Sequence, residues 1–236
     1  MGILQGLPDI ITAVGGLGTA AFGLVDSTKV FWGGVNRIGF KRIKTSVKKL
    51  TPKLTVGLSQ EQILGTLRGN WYNGTALPDQ KAIAKSLIKQ GLNPDNAEEL
   101  ALLAGLDKVV LGSVATKIKA GTGLLPAESD VYSRFDFVLT AMLDEAYQIA
   151  DQAYTNWTRV WALFFAVVLA LVGGAILHEN TMAHAAANVA KEAYLGSLDM
   201  KIALVAGLLA TPLAPIAKDL SSALAAAVNT MQVIRK

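Results

Sequence analysis

The amino-acid sequence predicts an all-α integral membrane protein with three transmembrane helices, a small cytoplasmic helical subdomain and one long helix continuous with the second span. The strongest observation is that residues 160–177 carry no charged side chain, because about 20 apolar residues of helix cross the ~30 Å hydrocarbon layer of a bilayer. The composition agrees, since 17% of the residues are charged against about 25% in a typical soluble domain. Tryptophans near the ends of two apolar segments, Trp32, Trp157 and Trp161, are typical of interfacial anchors.

The first span is predicted over residues 8–34. Its apolar stretch, residues 10–25, precedes the first positive side chain, Lys29. A secretory signal would need a basic region before the apolar run. We therefore expect a helix that stays in the membrane.

The second span is predicted as the end of one continuous helix over residues 129–177. Its apolar residues recur at helical spacing, and neither glycine nor proline intervenes before the span. The residues that carry this periodicity are Phe135, Val138, Met142, Ala146, Ile149 and Ala153. The acids between them, among them Asp144, Glu145 and Asp151, are interpreted as a solvated face rather than as paired catalytic carboxylates.

The third span is predicted over residues 201–218, after an external loop over residues 178–200. Pro212 and Pro215 lie near its end, where proline kinks or ends a helix. Residues 219–236 are uncharged over most of their length and alanine-rich. We expect them to form a tail helix at the membrane surface or against neighbouring helices, with a fourth span as the weaker alternative.

The segment over residues 36–53 sets the predicted orientation. It is rich in lysine and arginine and contains no acid, and such clusters stay on the cytoplasmic side. The predicted location is a bacterial inner membrane with the N-terminus outside and with residues 36–156 and the C-terminus in the cytoplasm.

The same segment has the pattern of a basic amphipathic helix. Phe40, Ile43, Val47 and Leu50 form one apolar stripe, which favours a helix lying on an anionic leaflet; the alternative is that the segment is only the topology signal. The predicted membrane-surface residues are Arg37, Lys41, Arg42, Lys44, Lys48 and Lys49. Basic residues without interleaved aromatics, next to a membrane, do not indicate nucleic-acid binding.

Residues 54–127 are predicted to form a helical subdomain of four short helices. The helix starts are marked by Ser59, Pro78, Asn93 and Asp107, residue types that favour helix N-termini. About 70 residues bury only a small core. We expect this subdomain to lean on the membrane helices or on a second copy.

The sequence contains no recognisable catalytic, cofactor or metal site. There are no cysteines, which excludes thiolate chemistry. The two histidines, His178 and His184, lie six residues apart and would not share a helix face. We therefore predict a protein that is not an enzyme and that needs no cofactor.

Small residues in the first span predict helix packing. Gly15, Thr19 and Gly23 recur every four residues, and Gly16 and Ala20 widen the strip. Small residues at this spacing let membrane helices approach closely, and the partner helix lies either within the chain or in another copy.

The expected function is a structural or anchoring membrane protein that self-associates or holds a partner complex. Its partners would be membrane lipid together with further copies or other membrane proteins. The alternative is an oligomeric pore or transport component. A pore would need a polar stripe along one span, and Thr211 is the one polar residue within the third apolar stretch.

Several short sequence features occur in an order that is also found in other proteins. They are Trp71-Tyr72-Asn73, Phe135-Asp136, residues 156–159 and residues 214–220. Their order resembles that of certain bacterial inner-membrane proteins of unknown function. The resemblance implies an N-terminal span, a variable helical insert, a long helix entering the second span and a third span. It implies no catalytic residue.

Overall fold

The computed structural model describes residues 7–53, 57–184 and 193–234, and their side chains over residues 10–31, 33–53, 57–182, 193–219 and at residue 222. Helix accounts for 85% of the structure, and the described ranges contain no strand. The helices are α1 (Leu7–Trp32), α2 (Asn36–Leu50), α3 (Gln60–Tyr72), α4 (Leu77–Gln90), α5 (Pro94–Ala104), α6 (Lys108–Ala120), α7 (Pro126–His184) and α8 (Leu198–Ile234). The all-α prediction is thus confirmed.

The chain divides into two compact units. The first, here called the span unit, combines Met1–Gly34 with Asn156–Lys236. The second, here called the helical unit, is Val35–Thr155.

Three helices are long and apolar enough to cross a membrane, as the sequence predicted. The corresponding segments are Ile10–Phe31, Pro126–Met182 and Leu198–Asp219. Within the second of them, the charge-free stretch over residues 160–177 is the part that is apolar throughout.

The helical unit has its own hydrophobic core. The apolar stripe of α2 is buried in it, with Ile43 and Val47 at 0% exposure, and α7 contributes Phe135, Leu139 and Tyr147. Trp71 of α3 links to α2, since its Nε1–H donates to the Asn36 carbonyl oxygen at 2.9 Å. The four short helices therefore complete their core with α2 and the first part of α7, which the sequence did not anticipate.

The short helices begin where the sequence predicted. The Ser59 and Asn93 side chains form capping boxes, each accepting a backbone N–H of the first turn, and Asp107 accepts from Val109 and Val110. Such caps satisfy amide groups that have no partner within the helix.

The helices on either side of the predicted external loop are longer than the predicted spans. α7 continues to His184 and α8 begins at Leu198, so helix extends into both ends of the expected external loop. α8 also runs through Pro212 and Pro215 without a break and includes most of the expected tail. Apolar helices tolerate internal proline because neighbouring helices and hydroxyl side chains accommodate the freed backbone groups.

Candidate functional site

In the span unit, α1 and α8 approach each other closely at two glycines of α1. A Cβ atom added at Gly15 would overlap the Ala217 Cβ and lie 3.2 Å from the Leu213 carbonyl oxygen. One added at Gly18 would overlap the Ala210 carbonyl oxygen and lie 2.7 Å from its carbonyl carbon. Only glycine permits this backbone contact, as expected for small-residue packing of membrane helices.

α7 reaches α8 through another glycine. A Cβ at Gly207 would lie 2.7 Å from the Val167 Cα and 3.2 Å from the Ala166 carbonyl oxygen. Ala166, Ala210 and Ala21 are fully buried in one small apolar cluster. Small side chains on all three helices thus hold the span unit together.

The five predicted packing residues of α1 fall on two different faces. Gly15 lies in the α8 contact, together with Gly18, which the spacing argument missed. Gly16, Thr19, Ala20 and Gly23 are exposed, and a Cβ at Gly16 or Gly23 would meet nothing within 4 Å. The structure therefore leaves a smooth face on α1, here called the open face and formed by Gly16, Thr19, Ala20 and Gly23.

The basic residues of α2 are all exposed. Arg37, Lys41, Arg42, Lys44, Lys48 and Lys49 form this face, and none of them takes part in an ion pair between described side chains. The apolar stripe behind them lies in the core of the helical unit, so it is not free to insert into lipid. Contact of α2 with a membrane surface would then rest on charge alone.

The predicted aromatic anchors are exposed where the structure describes them. Trp157 is 46% exposed and Trp161 is 42% exposed. The side chain of Trp32 lies outside the described side chains.

Acids of α7 pair with lysines of α4, which the sequence interpretation missed. Lys85 Nζ and Lys89 Nζ lie 2.9 and 2.8 Å from the two carboxylate oxygens of Asp136, and Lys81 Nζ lies 2.5 Å from Asp144 Oδ1. Hydrogen bonds from Lys89 and then Lys85 lower the pKa of Asp136. The acidic face of α7 is therefore partly a packing surface; Glu145 and Asp151 remain exposed, as predicted.

The span unit contains one polar cluster that the sequence did not indicate. His178 is 7% exposed, and its Nδ1 lies 2.6 Å from Asp199 Oδ2. The Thr181 hydroxyl donates to the His178 carbonyl oxygen at 2.8 Å, and the Tyr194 ring centroid lies 5.6 Å from that of His178. A histidine is informative here because burial of its ring requires polar partners, but Asp199 belongs to α8, so this contact cannot be found from local spacing.

This arrangement defines a class, an all-α protein with three helices suited to a membrane and a separately cored helical unit. Comparison of the chain with family models, curated proteins and solved structures finds no match. The resemblance to bacterial three-span proteins thus gains no support. Among the described residues, no group of three metal-ligating side chains comes together.

Proposed function

We propose that this protein is a membrane anchor that holds a folded helical unit at a bacterial inner membrane and associates with further copies of itself. The observation that carries the proposal is the division of the chain into an apolar span unit and a helical unit with its own core. A unit that folds around its own core does not need the bilayer to bury its apolar side chains. The proposed role is structural rather than catalytic.

The proposed orientation places the N-terminus outside and the helical unit in the cytoplasm. The six exposed basic residues of α2 support it, because lysine and arginine near the end of a span are retained on the cytoplasmic side. Each of these charges would also add about 1 kcal/mol of attraction to an anionic leaflet.

The orientation is testable because the chain contains no cysteine. We expect Lys48→Cys to be protected from a membrane-impermeant maleimide in intact spheroplasts and to react after permeabilisation. Ala193→Cys, in the predicted external segment, should react in both cases. Reaction of Lys48→Cys in intact spheroplasts would contradict the proposed orientation.

Self-association is supported by the open face of α1. None of the described residues lies within 4 Å of a Cβ at Gly16 or Gly23, and small residues allow a second helix to approach closely enough for van der Waals contact. Lipid chains cover such a face less efficiently than a complementary helix surface.

Oxidative cross-linking in native membranes tests this contact. We expect Ala20→Cys to form a disulfide-linked dimer, whereas Ile176→Cys, at a 56% exposed position of α7, should not. Adding Gly16→Leu to Ala20→Cys should abolish the dimer, because a Cβ at Gly16 meets none of the described residues within 4 Å, whereas the leucine would block a partner helix. Equal cross-linking at positions 20 and 176 would refute self-association through α1, and ion conduction by the purified protein in vesicles would favour the pore alternative.

A further inference from the structure

The span unit contains a cavity of about 460 Å³ between α1, α7 and α8, which is open on one side. This volume falls within the ~300–1,000 Å³ typical of small-molecule sites. Its walls are apolar over most of their area, with Val14 and Leu17 from α1, Leu169 and Leu177 from α7, and Ile202 from α8.

Small residues create this space. Gly173 lines the cavity, and a Cβ added there would meet nothing within 4 Å. Ala170 and Ala203 line it as well, so no large side chain fills the volume between the three helices. A long apolar chain could therefore enter without displacing a packed side chain.

One end of the cavity is polar. His178, Thr181 and Asp199 line it, and the His178 ring is held against the Asp199 carboxylate.

The charged groups at this end determine which polar head group a bound molecule can have. Among the described residues that line the cavity, Asp199 is the one acid, and neither lysine nor arginine lines it. His178 carries a charge only when it is protonated, so with a neutral His178 a carboxylate or phosphate head would meet a like charge without a compensating cation. A hydroxyl head can donate to the Asp199 carboxylate.

We propose that this cavity binds an uncharged single-chain amphiphile of the monoacylglycerol or long-chain alcohol class, with its apolar chain between the three helices and its hydroxyl head at His178 and Asp199. This inference goes beyond the anchoring role and does not depend on self-association, since the open face of α1 contributes no residue to the cavity.

The test uses the full-length protein in detergent and a monoacylglycerol with a diazirine in its acyl chain. We expect photolabelling to map to residues 169–177 and 202–206, and unlabelled monooleoylglycerol to reduce it at least tenfold. At pH 8, a fatty acid with the same diazirine chain should label the protein at least tenfold less than the monoacylglycerol does. Asp199→Asn should reduce this difference in labelling between the two probes.

A matched pair of variants distinguishes labelling inside the cavity from labelling by lipid at the outer surface of the helices. Gly173→Leu places a side chain in the cavity and should reduce labelling at least tenfold, whereas Gly23→Leu adds the same bulk outside it and should not. If Gly173→Leu fails to fold, competition on the unmodified protein decides the question. Labelling that spreads over the lipid-facing surfaces, resists competition or does not distinguish the two head groups would overturn the proposal.

Discussion

Two glycines of α1 should respond in opposite ways to the same substitution. Gly16→Ala places its Cβ where none of the described residues lies within 4 Å, so within one chain the main effect is the gain of about 1 kcal/mol in helix propensity. Gly18→Ala makes the same gain, but its Cβ would overlap the Ala210 carbonyl oxygen and lie 3.0 Å from the Ala214 Cβ. Overpacking of this kind costs about 1–3 kcal/mol, and backbone rather than a flexible side chain must move, which favours the upper end. The two variants should differ in free energy of unfolding by about 3 kcal/mol, with Gly18→Ala the less stable.

Unfolding by SDS titration in mixed micelles, followed by tryptophan fluorescence, measures this difference. The two variants control for each other, because they make the same chemical change two residues apart on one helix. Equal midpoints, or a Gly18→Ala protein more stable than Gly16→Ala, would refute the close α1–α8 contact.

Three further predictions concern the helical unit. Tyr147→Phe should leave stability unchanged or raise it by about 1 kcal/mol, because the hydroxyl is buried without a partner among the described residues and its removal ends a desolvation cost. Asp136→Asn should lower the free energy of unfolding by about 1 kcal/mol, since Lys85 and Lys89 lose a partly exposed carboxylate partner. Hydrogen bonds from Lys117, the Leu125 amide and Ser113 lower the pKa of Glu128 from 4.5 to about 2, so its stabilising contribution is complete above pH 4.5 and is lost as the pH falls from 4.5 towards 2.

Thermal or urea unfolding of the full chain, monitored by circular dichroism, checks all three. A marked loss of stability in Tyr147→Phe would mean that the hydroxyl has a partner after all. Asp130→Asn, which removes an exposed i,i+4 pair with Arg134, is the matched control for Asp136→Asn and should change stability less. Glu128→Gln should flatten the acid dependence between pH 4.5 and 2; an unchanged slope would contradict the assignment of that dependence to Glu128.

The features that the sequence predicted correctly depend on residues that lie close together along the chain. The caps at Ser59 and Asn93 are contacts between residues three apart, so the residue types alone predict them. Long apolar stretches predict helices suited to lipid for the same reason, since length and composition suffice. The helix does not end at Pro212 or Pro215, because the response of a helix to proline depends on its neighbours as well as on its own sequence.

By itself, the sequence determined the all-α class, three helices suited to a membrane, the long α7 and the starts of the short helices. Only the tertiary structure decided which face of α1 packs against α8. Gly15 and Gly16 are the same residue type and differ only by about 100° of rotation about the helix axis, so the sequence does not distinguish them. The tertiary structure also decided that α2 buries its apolar stripe in protein, that Asp136 meets lysines some fifty positions earlier in the chain, and that His178 meets Asp199. Each of these depends on contacts between helices distant in sequence, whereas periodicity and capping report only on residues within a few turns of one another.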